Sequence, residues 1–163
     1  MTRAAPSVVN HSQVIVFPPV IPLTGFFLGL SLEWLIPLRS HLPRLLVVCA
    51  RPVGAALFVV GIAGFVWMVG TMKRAGTPIH NSRTPSSLVE RGPFRFSRNP
   101  MYLFGSISYA GLALLLLQPW PLLLLIGVVM VMHYGVVLRE EKFLAGHFGD
   151  AYRTYRERVP RYF

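Results

Sequence analysis

The sequence predicts an all-α, polytopic membrane protein with about four transmembrane helices, followed by a C-terminal amphipathic helical segment. Hydrophobic residues make up 53% of the 163 residues and charged residues only 13%, and the apolar residues form long runs instead of alternating or periodic faces. The formal net charge of +10 comes from basic residues that flank these runs. This composition excludes a disordered chain and argues against a soluble domain of this size. The single cysteine, Cys49, excludes an intrachain disulfide framework and a cysteine zinc cluster.

Four apolar runs are candidates for membrane spans, because a helix needs about 20 mostly apolar residues to cross the hydrocarbon core. Prolines near the start of the first run predict that its helix begins irregularly or only at Pro22. That run is longer than the core of a signal peptide, and no convincing cleavage site follows it. Gln118-Pro119-Trp120-Pro121 predicts a tight helical hairpin between the last two runs. The four runs are Val14–Pro37, Pro52–Met72, Met101–Gln118 and Pro121–Leu138.

The distribution of basic residues predicts the orientation of these spans. Six lysines and arginines lie between the second and third runs, six follow the fourth, and three lie between the first and second. Placing both termini in the cytoplasm puts thirteen basic residues inside and three outside. We therefore expect an integral, multi-pass protein of a plasma or inner membrane, with both termini and any active site cytoplasmic. The expected partner of this charge is the lipid bilayer, and no nucleic acid is expected, since the charges flank membrane spans.

The first cytoplasmic segment, Lys73 to Pro100, is rich in glycine and proline and is therefore expected to be rich in turns. Its last residues, Asn99-Pro100, are typical of a helix N-cap followed by proline at the first helical position. Arg98 does not fit this simple interpretation, because a cation at a helix N-terminus opposes the helix dipole. An anionic partner for Arg98 would resolve the conflict.

The second segment, Arg139 to Phe163, carries an apolar and aromatic stripe at helical spacing. The simplest interpretation is an amphipathic helix that lies on the membrane surface. Gly149 predicts a break in this helix, and Pro160 predicts its end. The stripe consists of Leu144, Phe148, Tyr152, Tyr155 and Val159.

Few acidic residues and histidines lie near the predicted spans. Glu140 and Glu141 indicate either a helix end that reaches water or a cation site, filled by Arg98 or by the positive group of a ligand. His133 is expected to be a packing residue, and no metal site is predicted because no second and third ligand stand at metal spacing. Glu33 and Arg51 are expected near the outer ends of the first two spans, where they can form an ion pair.

Two blocks of residues on either side of the predicted hairpin resemble the isoprenylcysteine carboxyl methyltransferase family and, more distantly, the phospholipid N-methyltransferases. The resemblance covers about residues 50–161, and the order and spacing of both blocks make it specific. The first block holds Leu88-Val89, Gly92-Pro93-Phe94 and Arg98-Asn99-Pro100-Met101-Tyr102, and the second holds Glu140-Glu141, Leu144, Phe148-Gly149, Tyr152, Tyr155 and Val159-Pro160.

The resemblance implies a membrane methyltransferase that uses S-adenosyl-L-methionine and methylates a lipophilic acceptor, such as a carboxylate, a phospholipid amine or a thiol. It implies one membrane domain over residues 1–163, with an N-terminal span and loop at 1–49 and the cofactor site within 50–163. Catalytic roles fall on Arg98, Glu140 and Glu141. Cofactor-binding roles fall on Ser86, Ser87, Leu88, Val89, Phe94, Arg98, Asn99, Pro100, Met101, Tyr102 and Glu140.

The chemistry of the cofactor agrees with these positions. Glu140 can bind its ammonium group and Arg98 its carboxylate by charge-assisted hydrogen bonds, while Phe94 and Tyr102 can pack on the adenine or shield the sulfonium. At one position the chain departs from the family. Val136 stands where the eukaryotic enzymes carry an arginine thought to meet the substrate carboxylate, which leaves the acceptor open.

Two alternatives remain at the level of sequence. Sterol reductases, which use NADPH, carry a similar C-terminal pattern of an arginine-proline-tyrosine motif, a hairpin and an acidic cluster. Here that cluster is Arg139-Glu140-Glu141, and the chain is shorter than those enzymes. A membrane scaffold that retains a degenerate pocket is the second alternative. Oligomeric state is not predicted by the sequence.

Overall fold

The computed structural model describes residues 18–77 and 87–163, which contain helices and no strands and so confirm the all-α prediction. Short 3₁₀ turns lie at Leu38–His41 and Gly92–Arg95, and a π-helical turn lies at His133–Val137. The α-helices of these two ranges are α1 (Val20–Leu35), α2 (Arg44–Arg74), α3 (Pro100–Leu115), α4 (Pro119–Met132), α5 (Leu138–Phe148) and α6 (Asp150–Arg158).

Two helices of the described ranges are long and apolar enough to cross a membrane. They are α2, with 31 residues, and the continuous helical run Pro119–Phe148, with 30. The other two apolar helices, α1 and α3, have 16 residues each, or about 24 Å at 1.5 Å per residue. This is less than the roughly 30 Å of a bilayer core. Large apolar side chains are exposed along α1, α2 and α4, as expected of surfaces that face lipid.

The second span begins earlier than the sequence predicts. The expected start was Pro52, but α2 begins at Arg44 and carries Pro52 in its interior. Proline removes one hydrogen bond from a helix interior and disfavours the helix there. The apolar residues that precede Pro52 nevertheless continue the helix back to Pro43, which is its N-cap.

Glycine residues lie at the interface between α2 and α3. A Cβ atom at Gly111 of α3 would overlap the backbone nitrogen of Phe58 and come within 2.9 Å of the Gly54 carbonyl oxygen of α2. Gly61 lies against Ser108 in the same interface. Glycines of α2 and α3 therefore let these two helices approach closely, although Gly70 of α2 has open space around it.

A three-residue connection joins α3 to α4 and confirms the predicted hairpin. The helix ends at Leu115, because Leu117 adopts a positive φ of 54°. The Gln118 backbone N–H then donates to the Ala113 carbonyl at 2.8 Å, and Pro119 starts α4. From α4, the Trp120 indole N–H donates to the Ile36 carbonyl at 2.8 Å and so ties the hairpin to the end of α1.

The helix that begins at Pro119 does not end at Leu138 as the sequence predicts. It passes through the π turn and continues as α5 to Phe148, so Glu140 and Glu141 lie on an extension of the fourth apolar run. The predicted break at Gly149 is present, with a positive φ of 54° that glycine adopts without a steric penalty. The two helical pieces α5 and α6 meet at this residue.

The aromatic stripe of α5 and α6 packs inside the protein, which corrects the expectation that it lies on the membrane surface. Tyr152, Tyr155 and Val159 are buried and form one cluster with the partly buried side chains of Leu144 and Phe148. Leu88, from the segment before α3, packs on the same cluster. The loop therefore supplies an apolar partner that helical periodicity alone does not reveal.

The expected Glu33–Arg51 ion pair is not formed. Glu33 Oε1 instead accepts a hydrogen bond from the Arg39 backbone N–H at 2.7 Å. None of the ion pairs within residues 18–77 and 87–163 involves Arg51. The short turn after α1 gives the carboxylate a backbone donor before the chain reaches Arg51.

Candidate active site

The start of α3 and the start of α5 meet and bring two acidic side chains against the Arg98–Tyr102 motif. Asn99 is the N-cap of α3, yet its side chain makes no capping hydrogen bond. Its Nδ2 instead donates to Glu141 Oε1 at 3.0 Å. The Tyr102 hydroxyl, one turn further along α3, donates to the Glu140 carboxylate and lies 2.8 Å from each of its oxygens.

Glu141 is the centre of a buried charge network. Arg161 binds it with two hydrogen bonds, Nε to Oε1 at 3.1 Å and Nη2 to Oε2 at 3.0 Å. Arg98 Nη1 lies 3.5 Å from Oε2. The side chains of Glu141 and Arg98 are only 9% and 8% exposed, whereas that of Arg161 is 34% exposed. One carboxylate therefore faces two guanidinium groups in a site largely closed to water.

The segment Pro160–Tyr162, which follows α6, is tied to this network through its backbone. The Pro160 carbonyl accepts from the Arg98 N–H at 3.0 Å, and the Arg161 carbonyl accepts from the Ser97 hydroxyl at 3.0 Å. The Tyr162 hydroxyl lies 2.8 Å from His133 Nδ1 in the π turn. These bonds hold the segment across the starts of α3 and α5.

Three buried polar atoms of the site have no hydrogen-bond partner within the described part of the chain. They are Arg98 Nε, Arg98 Nη1 and the Tyr152 hydroxyl oxygen. Burial raises the pKa of the Tyr152 phenol, which therefore stays a neutral group able to donate. Buried polar groups without partners are rare in folded proteins. A ligand that carries an anionic group fits these donors.

Two neighbouring tyrosines of α6 allow a matched test of this assignment. The Tyr155 hydroxyl donates to the Phe94 carbonyl at 2.8 Å, whereas the Tyr152 hydroxyl has no such partner among the described residues. We expect Tyr155→Phe to lower the free energy of unfolding by about 1 kcal/mol and Tyr152→Phe to leave it nearly unchanged. Unfolding of both variants in detergent micelles measures the difference. Equal losses in the two variants would contradict the assignment.

The sequence-predicted residues do not all lie in the polar network. Ser86 lies outside the described residues. The Ser87 hydroxyl lies 3.0 Å from that of Thr77, after the end of α2, and makes no hydrogen bond to the network within the described ranges. Phe94 is linked to the site through its backbone carbonyl. Pro100 is buried, and Val89 and Met101 are half-buried.

The two buried side chains of the π turn are apolar. Val136 and Val137 are fully buried, with 1% and 0% exposure. Val136 therefore places no charge at the position where the resembling enzymes have an arginine. Within the described ranges, no group of three or more histidines, cysteines and carboxylates is arranged to hold a metal ion.

Sequence analysis missed several residues of the site. Arg161, Tyr162 and Ser97 carry hydrogen bonds of the network, and Tyr152 contributes a buried hydroxyl. Only Tyr152 had a signal, since it lies on the aromatic stripe, although the sequence placed that stripe on the membrane surface and the structure places it inside the protein. Arg161 resembles the other arginines near the end of α6, and only the fold separates it from them.

Comparison with a known protein family gives a match over the part of the chain that holds most of this site. The family model described as phospholipid methyltransferase matches residues 50–151. This range begins in α2 and extends into α6, so it contains the starts of both α3 and α5 but not Arg161. A comparison with curated proteins found no significant match.

Proposed function

Because the chain belongs to the phospholipid methyltransferase family, we propose that it is an integral membrane methyltransferase that transfers a methyl group from S-adenosyl-L-methionine to a lipophilic acceptor. The observation that carries this proposal is that Tyr102 and the buried Arg98, from one short motif, pair with the adjacent acids Glu140 and Glu141, while two Arg98 nitrogens make no hydrogen bond within the described ranges. It puts an anionic and a cationic group on one site, as a zwitterionic amino-acid moiety requires.

We further propose that α1, α2, α3 and the Pro119–Phe148 helix all cross the membrane, with both termini in the cytoplasm. The exposed apolar surfaces and the excess of basic residues in the two site-bearing segments support this topology. In this arrangement residues 1–49 supply a span and a loop. Residues 50–163 hold the cofactor site at the cytoplasmic interface of the bilayer.

The residues present fit S-adenosylmethionine, which supplies an electrophilic methyl group on a sulfonium when bound. Arg98 offers its carboxylate two buried nitrogens that make no hydrogen bond within the described ranges, one of which lies in an ion pair with Glu141. The Glu140 carboxylate is oriented by the Tyr102 hydroxyl and is suited to its ammonium group. Phe94 supplies aromatic surface for the adenine or the sulfonium. The task of these side chains is to orient the reactants and to exclude water, because in-line methyl transfer needs alignment and dehydration.

Two features restrict the acceptor. The buried Val136 puts an apolar wall where a carboxylate-binding arginine would lie, which favours an amine or thiol acceptor over a carboxylate. Glu141 is committed to Arg161, Asn99 and Arg98, so we propose that it organises the site and does not take a proton from an amine. His133 faces the Tyr162 hydroxyl and is the remaining candidate for that role.

Calorimetry of detergent-purified protein with S-adenosylmethionine and NADPH in parallel tests this function. We expect binding of S-adenosylmethionine alone, weakened roughly tenfold or more in Glu140→Ala, since a hydrogen bond to a charged group contributes about 1.5–3 kcal/mol. Glu157→Ala, which removes an exposed acid of α6, is the matched control and should bind like the unaltered protein. Binding of NADPH alone would identify a reductase, and binding of neither by folded protein would favour a scaffold.

A further inference from the structure

Arg161 and Arg98 approach the same carboxylate in different ways. Arg161 engages both oxygens of Glu141 through two aligned hydrogen bonds, and Asn99 Nδ2 adds a third. Arg98 Nη1 is within ion-pair distance of Oε2 at 3.5 Å but makes no hydrogen bond to it. The hydrogen bonds of the carboxylate thus come from Arg161 and Asn99, and Arg98 Nε and Nη1 stay buried without a hydrogen bond within the described ranges, Nη1 being held only by its ion pair with Glu141.

Arg98 and Arg161 therefore compete for one carboxylate, that of Glu141. A guanidinium pairs best with a carboxylate through two parallel hydrogen bonds, and Arg161 occupies that geometry. If Arg161 were absent, the nearest cation to Glu141 would be Arg98, which is almost fully buried beside it. Arg98 would then turn its donors toward Glu141 and withdraw them from any other anion.

We propose that Arg161 is a positioning residue that occupies Glu141 and thereby keeps Arg98 available to bind the carboxylate of the methyl donor. This inference rests on the proposed function, because it assigns a role toward that donor. Arg161 acts through Glu141 and needs no contact with the donor itself. It lies outside the part of the chain that the family model matches.

The backbone around Arg161 makes this role separable from folding. Its neighbours are held by the bonds from Arg98 N–H to the Pro160 carbonyl and from the Ser97 hydroxyl to the Arg161 carbonyl. Both bonds use backbone acceptors and survive a change of the Arg161 side chain. We therefore expect Arg161→Met to keep the segment in place while removing the charge.

The test compares three ligands by calorimetry on the full chain in detergent micelles. S-adenosylmethionine and S-adenosylhomocysteine both carry the carboxylate, while methylthioadenosine lacks it. We expect Arg161→Met to weaken binding of the first two roughly tenfold or more, as for loss of a hydrogen bond to a charged group. Binding of methylthioadenosine should change less than twofold. Arg153→Met, which removes an exposed arginine of α6, should bind all three ligands normally.

A double variant separates positioning from a general loss of structure. In Glu141→Gln with Arg161→Met, the neutral amide no longer competes for Arg98, so affinity for S-adenosylhomocysteine should recover to within a fewfold of the original. Unchanged affinity in Arg161→Met, an equal loss for methylthioadenosine, or no recovery in a double variant that is folded would overturn the inference and leave the proposed function standing. Failure of the folded, unaltered protein to bind S-adenosylmethionine would overturn both.

Discussion

Replacement of Glu141 by alanine should lower the free energy of unfolding by about 3–5 kcal/mol, the range observed when one partner of a buried ion pair is removed. Glu141 forms ion pairs with both Arg98 and Arg161, and its own side chain is only 9% exposed. Its loss would take away the ion-pair partner of the buried Arg98 and the closer of the two acceptors of Asn99 Nδ2, at 3.0 Å against 3.4 Å for the Arg161 carbonyl. Both effects act in the same direction on the contact between α3 and α5.

The measurement is the unfolding free energy in mixed micelles, with the neighbouring Glu140→Ala as the control. Glu140 is more exposed than Glu141 and accepts a hydrogen bond from the Tyr102 hydroxyl, and its removal leaves the ion pair between Glu141 and the buried Arg98 in place. We expect a loss of no more than about 1–2 kcal/mol for Glu140→Ala. Comparable losses in the two variants would mean that Glu141 does not organise the site.

The second large effect is expected at the interface of α2 and α3. Gly111→Ala should destabilise the protein by about 2–3 kcal/mol, at the upper end of the usual cost of overpacking. The added methyl group would overlap the backbone nitrogen of Phe58 and crowd the Gly54 carbonyl. Backbone atoms cannot rotate away as a side chain can, so relief requires that the two helices move apart.

Gly70→Ala is the matched control for Gly111→Ala. Gly70 lies in α2 and has no atom within 4 Å of the position that a Cβ would take. Alanine in a helix is more favourable than glycine by about 0.8–1.0 kcal/mol, so this variant should be neutral or slightly more stable. Thermal unfolding of both variants measures the contrast. A loss of stability in Gly70→Ala equal to that in Gly111→Ala would show that the close approach does not matter.

The part of the site on α3 and α5 could be predicted because its residues stand in short motifs. Arg98, Asn99 and Tyr102 lie within one turn of a predicted helix start, and Glu140-Glu141 is conspicuous in a chain with six acidic residues. Which acid meets which partner could not be predicted. Adjacent carboxylates on a helix point about 100° apart, and only the tertiary arrangement of α3, α5 and the segment after α6 decides that Glu141 receives both arginines.

Some helix boundaries could also be predicted from nearby residues, and others could not. The hairpin after Leu115 and the break at Gly149 follow from local residues, and the structure has both. The N-terminal extension of α2 past Pro52 could not be predicted, because proline disfavours the interior of a helix. The pairing of Arg161 with Glu141 could not be predicted either, because the two residues are 20 positions apart in sequence and only the fold brings them together.

The π turn at His133–Val137 has a consequence for how relatives of this chain should be compared. Such a turn accommodates one residue more than an α turn does, so the residues after it are shifted by one position relative to a regular helix. A relative without the turn should therefore carry a single-residue deletion near Gly135. An ungapped alignment would then assign the role of Glu141 to the adjacent position, about 100° around the helix.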